Sequence, residues 1–289
     1  MSDVRGDDPL FGPFLAIQRQ FPGIPLLSYY DADFFAYSRD AAWPQEWDVP
    51  ALARLASQVA PSTVVDVGCS DGRILWHLRR RGIGAHHIGL DTSVAARASF
   101  EERFAGESGV HFRHLDVTAA DGPAVEADLA VMGSVTVNSF RTHRDLDRLL
   151  GFLHGVLRPG GHAAFLVYQD HVPGLFRELG RAMDAVPFRD ADGNRRLIWR
   201  GIDFAPERDN DLRQNYFIQY DDDRFPGVLG LVRERVWTTS EVLAAVGGHG
   251  FDLVAQDIAV VDDGGAEGWP CDALLLRRTP RPPQGGTRT

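Results

Sequence analysis

Val64-Val65-Asp66-Val67-Gly68-Cys69-Ser70-Asp71-Gly72 is an apolar run that enters a short turn containing two glycines. A helical pattern follows the turn, and a second strand pattern, Ile88-Gly89-Leu90, then ends on Asp91. A strand, a tight turn, a helix and a further strand form a βαβ unit. In such a unit the turn lets a ligand approach the backbone, and an acid accepts hydrogen bonds from ribose hydroxyls. The two stretches therefore predict a βαβ unit that holds a nucleoside.

The spacing of the glycines separates two kinds of nucleotide cofactor. The dinucleotide fingerprint G-x-G-x-x-G, counted from Gly68, requires glycine where the chain has Ser70 and Arg73. Gly68 and Gly72 are instead spaced G-x-x-x-G and follow Asp66. This pattern resembles the first motif of class I S-adenosylmethionine-dependent methyltransferases, D/E-x-G-x-G-x-G, with Ser70 in place of the middle glycine.

Three later segments resemble further motifs of the same family, in the family's order. They are the third strand with its terminal acid, the fourth strand, and the fifth-strand motif LxPGG with its apolar strand. Their sequences are Phe112-Arg113-His114-Leu115-Asp116-Val117, Asp128-Leu129-Ala130-Val131-Met132-Gly133-Ser134 and Leu157-Arg158-Pro159-Gly160-Gly161-His162-Ala163-Ala164-Phe165. The alternative is a doubly wound domain of another function, in which Asp91 and Asp116 are solvated strand ends.

The resemblance implies S-adenosylmethionine as the cofactor and assigns residues at the strand ends to it. In chain order these residues would hold the methionine end, the ribose and the adenine, and line the floor near the sulfur. The predicted cofactor-binding residues are Asp66, Gly68, Cys69, Ser70, Gly72, Asp91, Thr92, Asp116, Val117, Gly133 and Ser134.

Candidate catalytic residues follow from position and residue type. An alcohol or phenol acceptor benefits from a base with a pKa near neutral, which is most often histidine. His143 and His171 follow the predicted fourth and fifth strands, at the carboxyl edge where α/β folds bind ligands. The alternatives are a solvent-facing helix start for His143 and a loop position without a proton-transfer role for His171. Asn138, just beyond the fourth strand, is a candidate substrate contact.

Composition limits the class of partner. The chain has 289 residues, of which 44% are hydrophobic, enough for a sizeable core. Its formal net charge of −10 disfavours nucleic acid as a partner, because tight binding of nucleic acid requires a basic face. Cys69 and Cys271 form neither a disulfide framework nor a metal-ligand pattern, so a reducing compartment and no metal are predicted. The acidic N-terminus is not a secretory signal and no apolar run could span a membrane, so we expect a cytoplasmic protein without a membrane partner.

The remaining patterns predict alternating strands and helices followed by an added layer. Parallel strands are predicted at 64–68, 86–90, 110–115, 128–133 and 162–168, with helices at about 72–81, 93–105 and 142–157. After them the patterns predict a helix at 171–188 and strands at 195–204, 212–220 and 228–237. The capping box Thr238-Thr239-Ser240-Glu241 then predicts the start of a helix, and strands are predicted at 251–258 and 272–276.

The fold class implied by the resemblance is α/β. It is a Rossmann-like, doubly wound, seven-stranded sheet whose last strand is antiparallel. An aromatic-rich N-terminal segment, 1–60, is predicted to be a helical lid. Residues 61–278 would form the methyltransferase domain, with an inserted lobe at about 170–230 between strands five and six. Residues 279–289 are rich in proline, glycine and arginine and predict a disordered tail.

The function implied by the resemblance is methyl transfer from S-adenosylmethionine to an oxygen or nitrogen of a small molecule. The lid, the lobe and the acidic charge favour a small acceptor, and a natural-product intermediate is predicted. A homodimer is also compatible with the resemblance. Two alternatives stay open. One is an NAD-dependent oxidoreductase on the same fold, and the other is a non-catalytic domain that only binds the cofactor.

Overall fold

Two sheets organise the chain. The structure, a computed structural model, describes residues 9–28, 46–119, 125–189, 193–220, 227–261 and 268–280. The larger unit consists of Pro44–Pro173 and Arg235–Thr289, and the smaller unit consists of Met1–Trp43 and Gly174–Glu234. Each unit is built around one sheet.

The larger unit contains seven strands with helices between them. Its strands are β2 (Thr63–Val67), β3 (His86–Asp91), β4 (Val110–His114), β5 (Ala127–Met132), β6 (Leu157–Tyr168), β11 (Phe251–Val261) and β12 (Trp269–Arg278). Its helices are α2 (Val49–Val59), α3 (Arg73–Arg80), α4 (Val94–Arg103), α5 (His143–Val156) and α7 (Thr239–Val246).

The strand order of the larger sheet is β11-β12-β6-β5-β2-β3-β4. Strands β4, β3, β2, β5 and β6 pair in parallel, and β12 runs antiparallel to both β6 and β11. The prediction of a seven-stranded Rossmann-like sheet with an antiparallel last strand is therefore confirmed. Because β2 lies between β3 and β5, its carboxyl end is flanked by two other strand ends, and ligands of α/β sheets bind at this edge.

The central strands are stable because their apolar residues are buried on both faces. Val64 and Val65 of β2 are fully buried, and β5 is buried along its whole length. Helix α3 buries Ile74, Leu75 and Leu78, the three apolar positions that the sequence places on one helical face. This packing fixes the first βαβ unit and with it the position of the glycine turn.

The smaller unit has a five-stranded sheet in the order β1-β10-β9-β8-β7. Its elements are α1 (Gly12–Gln20), β1 (Leu26–Ser28), β7 (Arg181–Arg189), β8 (Arg195–Ala205), β9 (Asp211–Tyr220) and β10 (Gly227–Arg235), and α6 (Val172–Leu179) precedes β7. Phe14 of α1 packs in a core with Phe217 and Leu229. The backbone N–H of Phe11 donates to Oδ1 of Asn215 at 3.0 Å, which ties the start of α1 to β9.

One predicted element is wrong. The helix predicted at 171–188 ends at Leu179, and residues Arg181–Arg189 form strand β7 instead. Gly180 adopts a φ of +61°, which ends the helix, and Pro187 lacks the N–H that a helix interior requires. The segment pairs antiparallel with β8 over its whole length, so tertiary pairing overrides the local helical pattern.

The predicted N-terminal segment does not fall within one unit. The segment 1–60 is divided between the units, because α1 and β1 join the smaller sheet and α2 belongs to the larger unit. Its role as a lid stays a prediction, and much of its aromatic sequence lies at 29–45, outside the described residues. Of the predicted tail, 281–289 lies outside them as well. In the part of the chain that the structure describes, no helix is both long enough and apolar enough to cross a membrane.

Candidate functional site

The glycine turn after β2 is bonded to the end of β3. The backbone N–H groups of Gly68 and Cys69 both donate to the carbonyl oxygen of Leu90, at 2.8 and 3.1 Å. Gly68 has a φ of +70°, and a Cβ placed there would lie 2.7 Å from Cγ2 of Thr136. Glycine is therefore required here both by backbone conformation and by space.

Asp91 organises the same turn with its side chain. Its Oδ2 accepts from the backbone N–H of Ser70 at 2.8 Å, and its Oδ1 accepts from that of Ser93 at 2.8 Å. Ser70 stands where the family motif has glycine, and its φ of +52° lies in the left-handed region that glycine favours. Each carboxylate oxygen keeps a further lone pair, so Asp91 can still accept from ribose hydroxyls, as predicted for it.

Asp66 is a buried acid at the carboxyl end of β2. Its side chain is 1% exposed, and among the described residues Oδ1 has no hydrogen-bond partner. Burial raises the pKa of Asp66 well above its usual value, and the positive charge of Arg73 opposes this rise. Because an unsatisfied buried acceptor is unfavourable, the position fits a ligand with a cationic donor, such as the ammonium group at the methionine end of S-adenosylmethionine.

Arg73 connects this turn to the loop after β5. Its Nη1 and Nη2 donate to the two carboxylate oxygens of Asp48, at 2.7 and 2.8 Å, and Asp48 is fully buried. Oδ2 of Asp48 also accepts from the backbone N–H of Ser134 at 2.5 Å. Ser134 has a φ of +53° and lies just after β5, next to Gly133. Ser134, one of the two residues predicted to form the floor near the sulfur, is thus bonded to a buried ion pair.

The back of the glycine turn rests on aromatic rings. Gly72 has a φ of +80°, and a Cβ there would lie 2.5 Å from Phe104 and 2.7 Å from Phe100. The Cys69 side chain faces Gly89, where an added Cβ would lie 2.6 Å from its Sγ. Burial raises the pKa of the Cys69 thiol, so this cysteine is a packing residue in the turn rather than a nucleophile.

The predicted adenine and ribose residues beyond Asp91 differ in exposure. Asp116 is exposed, and its Oδ1 accepts from the backbone N–H and the hydroxyl of Thr118 at 2.8 and 2.7 Å. These hydrogen bonds lower the pKa of Asp116. Val117 is buried, and Thr92 is exposed, with its carbonyl oxygen 2.8 Å from Nε2 of His114. Their contacts with a cofactor stay predictions.

The two candidate catalytic histidines are both exposed on the larger unit. His143 is the first residue of α5, and its ring packs edge-on against the buried Trp237 with centroids 5.0 Å apart. His171 lies between β6 and α6. The neighbouring Asp170 uses Oδ1 to accept from the backbone N–H of Ser240 at 2.9 Å, so this oxygen caps α7. A proton-transfer role for either histidine stays a prediction.

Asn138 is fully buried rather than displayed to a substrate. Its Oδ1 accepts from the backbone N–H of Trp237 at 3.1 Å, and Nε1 of Trp237 donates to the carbonyl oxygen of Phe140 at 2.8 Å. Asn138 therefore ties the loop after β5 to the strand-to-helix connection before α7. The described residues contain no group of three or more histidine, cysteine or acidic side chains that could hold a metal ion.

Sequence reasoning missed Asp48 and used Arg73 only as evidence against a dinucleotide. Asp48 precedes Val49-Pro50 at the start of α2, a pattern that indicates an N-cap. In the structure it occupies the N-cap position without a side-chain cap hydrogen bond. Nothing in the sequence alone places it beside Arg73, because 25 residues separate the two.

The fold and this site together define the class of the protein. A mostly parallel seven-stranded sheet with one antiparallel strand, a glycine turn after β2 and an acid at the end of β3 are features of class I S-adenosylmethionine-dependent methyltransferases. Residues 65–163 match the family model described as a methyltransferase domain. The resemblance recognised from the motifs is confirmed over these residues, which form a methyltransferase domain of the kind that uses S-adenosylmethionine.

Known proteins are similar to parts of this chain and to its fold. A tRNA U34 carboxymethyltransferase of Shewanella piezotolerans is 39% identical over 82 residues, covering 27% of this chain and 24% of the relative. A demethylmenaquinone methyltransferase of Thermus thermophilus is 30% identical over 123 residues, covering 42% of this chain and 54% of the relative. The chain thus spans about a quarter of the length of the first of these curated relatives and about half of the length of the second.

A solved structure extends the similarity in fold. CalS10 from Micromonospora echinaspora, described as an amino pentose methyltransferase with S-adenosylmethionine bound, aligns with a TM-score of 0.60. The alignment covers 86% of this chain and 97% of CalS10 at 18% identity. At that identity the comparison supports the fold alone.

Proposed function

We propose that this protein transfers the methyl group of S-adenosylmethionine to an oxygen or nitrogen of a small molecule, with a natural-product intermediate as the acceptor. The observation that carries the cofactor part of the proposal is Oδ1 of Asp66, which is buried at a strand end and has no partner among the described residues. An ammonium group would satisfy this oxygen. A phosphate group would meet it with repulsion.

Charges around the turn support a cationic cofactor over NAD. Asp48, Asp66, Asp71 and Asp91 all lie on the turn or in contact with residues of it. Arg73, which could otherwise face a diphosphate, donates from both Nη atoms to Asp48. Asp48 and Asp71 are paired with Arg73 and Arg103, whereas among the described residues Asp66 and Asp91 have no arginine partner. These two carboxylates suit a sulfonium and an ammonium group and disfavour the two negative charges of a diphosphate.

The chain's own residues would bind and orient the reactants. When bound, S-adenosylmethionine supplies a methyl group activated by the sulfonium, so the protein has to align it and exclude water. Asp66 would hold the amino group, Asp91 the ribose, and Gly133 with Ser134 the floor near the sulfur. His143 or His171 would accept the proton that a hydroxyl acceptor loses.

The charge of the whole chain favours a small acceptor over a nucleic acid. The formal net charge of −10 disfavours tRNA, although a tRNA U34 carboxymethyltransferase is among the relatives. The similarity to the tRNA enzyme covers only 27% of this chain and 24% of that enzyme. We therefore assign a small acceptor and keep RNA as an outcome of the test.

Binding experiments test the cofactor first. Isothermal titration of the purified protein with S-adenosylmethionine, S-adenosylhomocysteine and NAD should give saturable binding of the two adenosyl compounds only. Binding of NAD without binding of either adenosyl compound would overturn the proposal in favour of an oxidoreductase.

Turnover experiments then test the acceptor. Release of S-adenosylhomocysteine is measured with a panel of small alcohols, phenols and amino sugars and, separately, with total tRNA. Turnover with a member of the small-molecule panel supports the proposal, and turnover with tRNA alone contradicts it. Tight cofactor binding without turnover on either panel indicates a non-catalytic domain.

A further inference from the structure

We infer that Asp48 is a positioning residue that holds the two cofactor loops, 68–73 and 133–136, in their working geometry. The inference rests on the proposed function, because it assigns a role to Asp48 in binding and aligning S-adenosylmethionine. Asp48 belongs to none of the motifs that carry the family resemblance. It acts through Arg73 and Ser134 and does not itself require contact with the cofactor.

The side chain of Asp48 is diverted from the role its position suggests. Asp48 is the N-cap residue of α2, where aspartate ordinarily accepts from the first backbone N–H groups of the helix. No side-chain cap hydrogen bond forms here. The carboxylate is fully buried and accepts three hydrogen bonds, two from Arg73 and one from the backbone N–H of Ser134.

These hydrogen bonds reach both loops at defined points. Arg73 is the first residue of α3, directly after the glycine turn, so its side chain fixes how the turn enters the helix. Ser134 follows β5, so its N–H fixes the loop that leaves that strand. A bidentate arginine–carboxylate pair sets orientation as well as distance, which makes this link more specific than a single ion pair.

The loop after β5 needs such a restraint. Ser134 has a φ of +53°, a conformation that costs energy for any residue other than glycine or asparagine. At the adjacent Gly133, an added Cβ would lie 2.5 Å from Cγ1 of Ile74 and 3.1 Å from Oδ2 of Asp48. The carboxylate therefore packs directly against the loop backbone and stabilises its strained residue.

The first test is the near-isosteric variant Asp48→Asn, assayed for binding and turnover. We expect the dissociation constant for S-adenosylhomocysteine to rise about tenfold or more, because charged hydrogen bonds to both loops are lost. The kcat should fall as well, since misalignment of the floor near the sulfur affects the reaction and not only binding. Circular dichroism and thermal melting confirm that the variant is folded.

Asp128→Asn is a matched control at the opposite end of β5. Asp128 is also buried and paired with an arginine, Arg158, at 2.6 Å. It also accepts from backbone N–H groups, those of Ser62 and Thr63, at 2.6 and 2.9 Å. This variant should lose stability while its affinity for S-adenosylhomocysteine stays within about twofold of wild type. An equal loss of affinity in both variants would mean that Asp48 acts only through general stability, and it would overturn the inference.

A rescue experiment separates positioning from packing. Because glycine adopts a positive φ without strain, adding Ser134→Gly to Asp48→Asn should restore part of the lost affinity. Absence of rescue contradicts the inference. If Asp48→Asn does not fold, Arg73→Lys tests the same link, since lysine cannot donate in the bidentate geometry. Unchanged affinity in that variant also overturns it.

The two proposals fail in different ways. If wild-type protein binds neither S-adenosylmethionine nor S-adenosylhomocysteine, the proposed function itself is wrong. If wild type binds them and Asp48→Asn behaves like wild type, only the role of Asp48 is wrong.

Discussion

Four aspartates lie near the glycine turn, and their carboxylates differ in the groups that they contact. Asp48 pairs with Arg73, Asp71 pairs with Arg103, and Asp91 accepts from two backbone N–H groups. Asp66 is the exception, since its buried Oδ1 has no partner among the described residues. A carboxylate whose charge is compensated contributes to folding, and one whose charge is not compensated is suited to a ligand.

We predict that Asp66→Asn changes the pH dependence of stability of the ligand-free protein. The pKa of Asp66 is raised in the folded state, so wild-type stability is fully present below the unfolded pKa, near 4, and is lost as pH rises towards the folded pKa. The variant lacks this loss. In urea unfolding between pH 4 and pH 8, the free energy of unfolding of the variant should therefore increase relative to that of wild type as pH increases.

The same variant should bind S-adenosylhomocysteine about tenfold more weakly, because the amide offers no charge to an ammonium group. Asp252→Asn, which removes a largely exposed carboxylate of the larger unit, controls for the loss of one charge. If the free energies of unfolding of Asp66→Asn and wild type change in parallel across this pH range, Asp66 is not a buried acid whose charge lacks a partner.

At this scale the sequence predicts residues whose role is set by local spacing. Asp66, Gly68 and Gly72 are identified because their roles depend on the strand and turn in which they lie. Asp48 is not, because its side chain meets Arg73 and Ser134 only after three separate elements have packed. Asp48 is the N-cap residue that the local sequence indicates, but its side chain bonds to Arg73 and Ser134 instead of capping the helix.

At the scale of elements, the turn between β2 and α3 is shaped by what lies behind it. Gly72 is the N-cap of α3 and has a φ of +80°, and the rings of Phe100 and Phe104 occupy the space where a side chain would be. The two rings pack against each other with centroids 4.7 Å apart. Helix α4 and its C-cap residue Phe104 thus pack against the glycine turn.

We predict that Gly72→Ala weakens both folding and cofactor binding. The added methyl group would meet two buried rings at under 3.0 Å, so the turn must move or the rings must repack, at a cost of about 1–3 kcal/mol beyond the backbone strain. Thermal melting and titration with S-adenosylhomocysteine measure the two effects.

Gly82→Ala is the control for backbone strain alone. Gly82 has a similar φ of +71°, and an added Cβ there meets nothing within 4 Å. The Gly82→Ala substitution should lower the free energy of unfolding by about 1 kcal/mol and leave cofactor affinity unchanged. If Gly72→Ala and Gly82→Ala have equal effects on melting and binding, contact with the aromatic rings is not what shapes the turn.

Most elements follow from the sequence, and the exception has a physical cause. The central parallel strands β2 and β5 have nearly continuous apolar runs, and the capping box at Thr238 and Glu241 forms as predicted. Strand β7 was expected to be helical, because residues 171–188 place apolar side chains at helical spacing. Its pairing with β8 is a contact between two separate segments, and periodicity within one segment does not reveal it.

At the scale of the whole molecule, the smaller unit carries its own partly buried acid, Glu234. Nε2 of Gln214 donates to Oε2 of Glu234 at 2.9 Å, and the hydroxyl of Tyr216 donates to Oε1 of Gln214 at 2.9 Å. Burial raises the pKa of Glu234 to about 7, against the opposing effect of the hydrogen bond from Gln214. This group therefore makes stability fall as pH rises between about pH 4.5 and pH 7.

We predict that Glu234→Gln flattens the loss of stability between about pH 4.5 and pH 7. A raised carboxyl pKa makes stability decrease as pH rises through that window, and glutamine removes the titration while it retains a hydrogen-bond acceptor. Urea unfolding at pH 5 and pH 8 measures the change, with the exposed Glu207→Gln as the control. A variant that loses as much stability as wild type over this range would show that Glu234 is not the group responsible.

The smaller unit joins two distant stretches of the chain, and this affects the order in which its parts can fold during synthesis. Phe11 bonds to Asn215 across 204 residues, and β1 pairs with β10. A ribosome therefore releases the N-terminal helix and strand long before their partners exist, while the first βαβ segments can already begin to assemble. Completion of the five-stranded sheet is a late step of biosynthesis, and nascent chains halted before β10 would hold their N-terminal strand without its native neighbour.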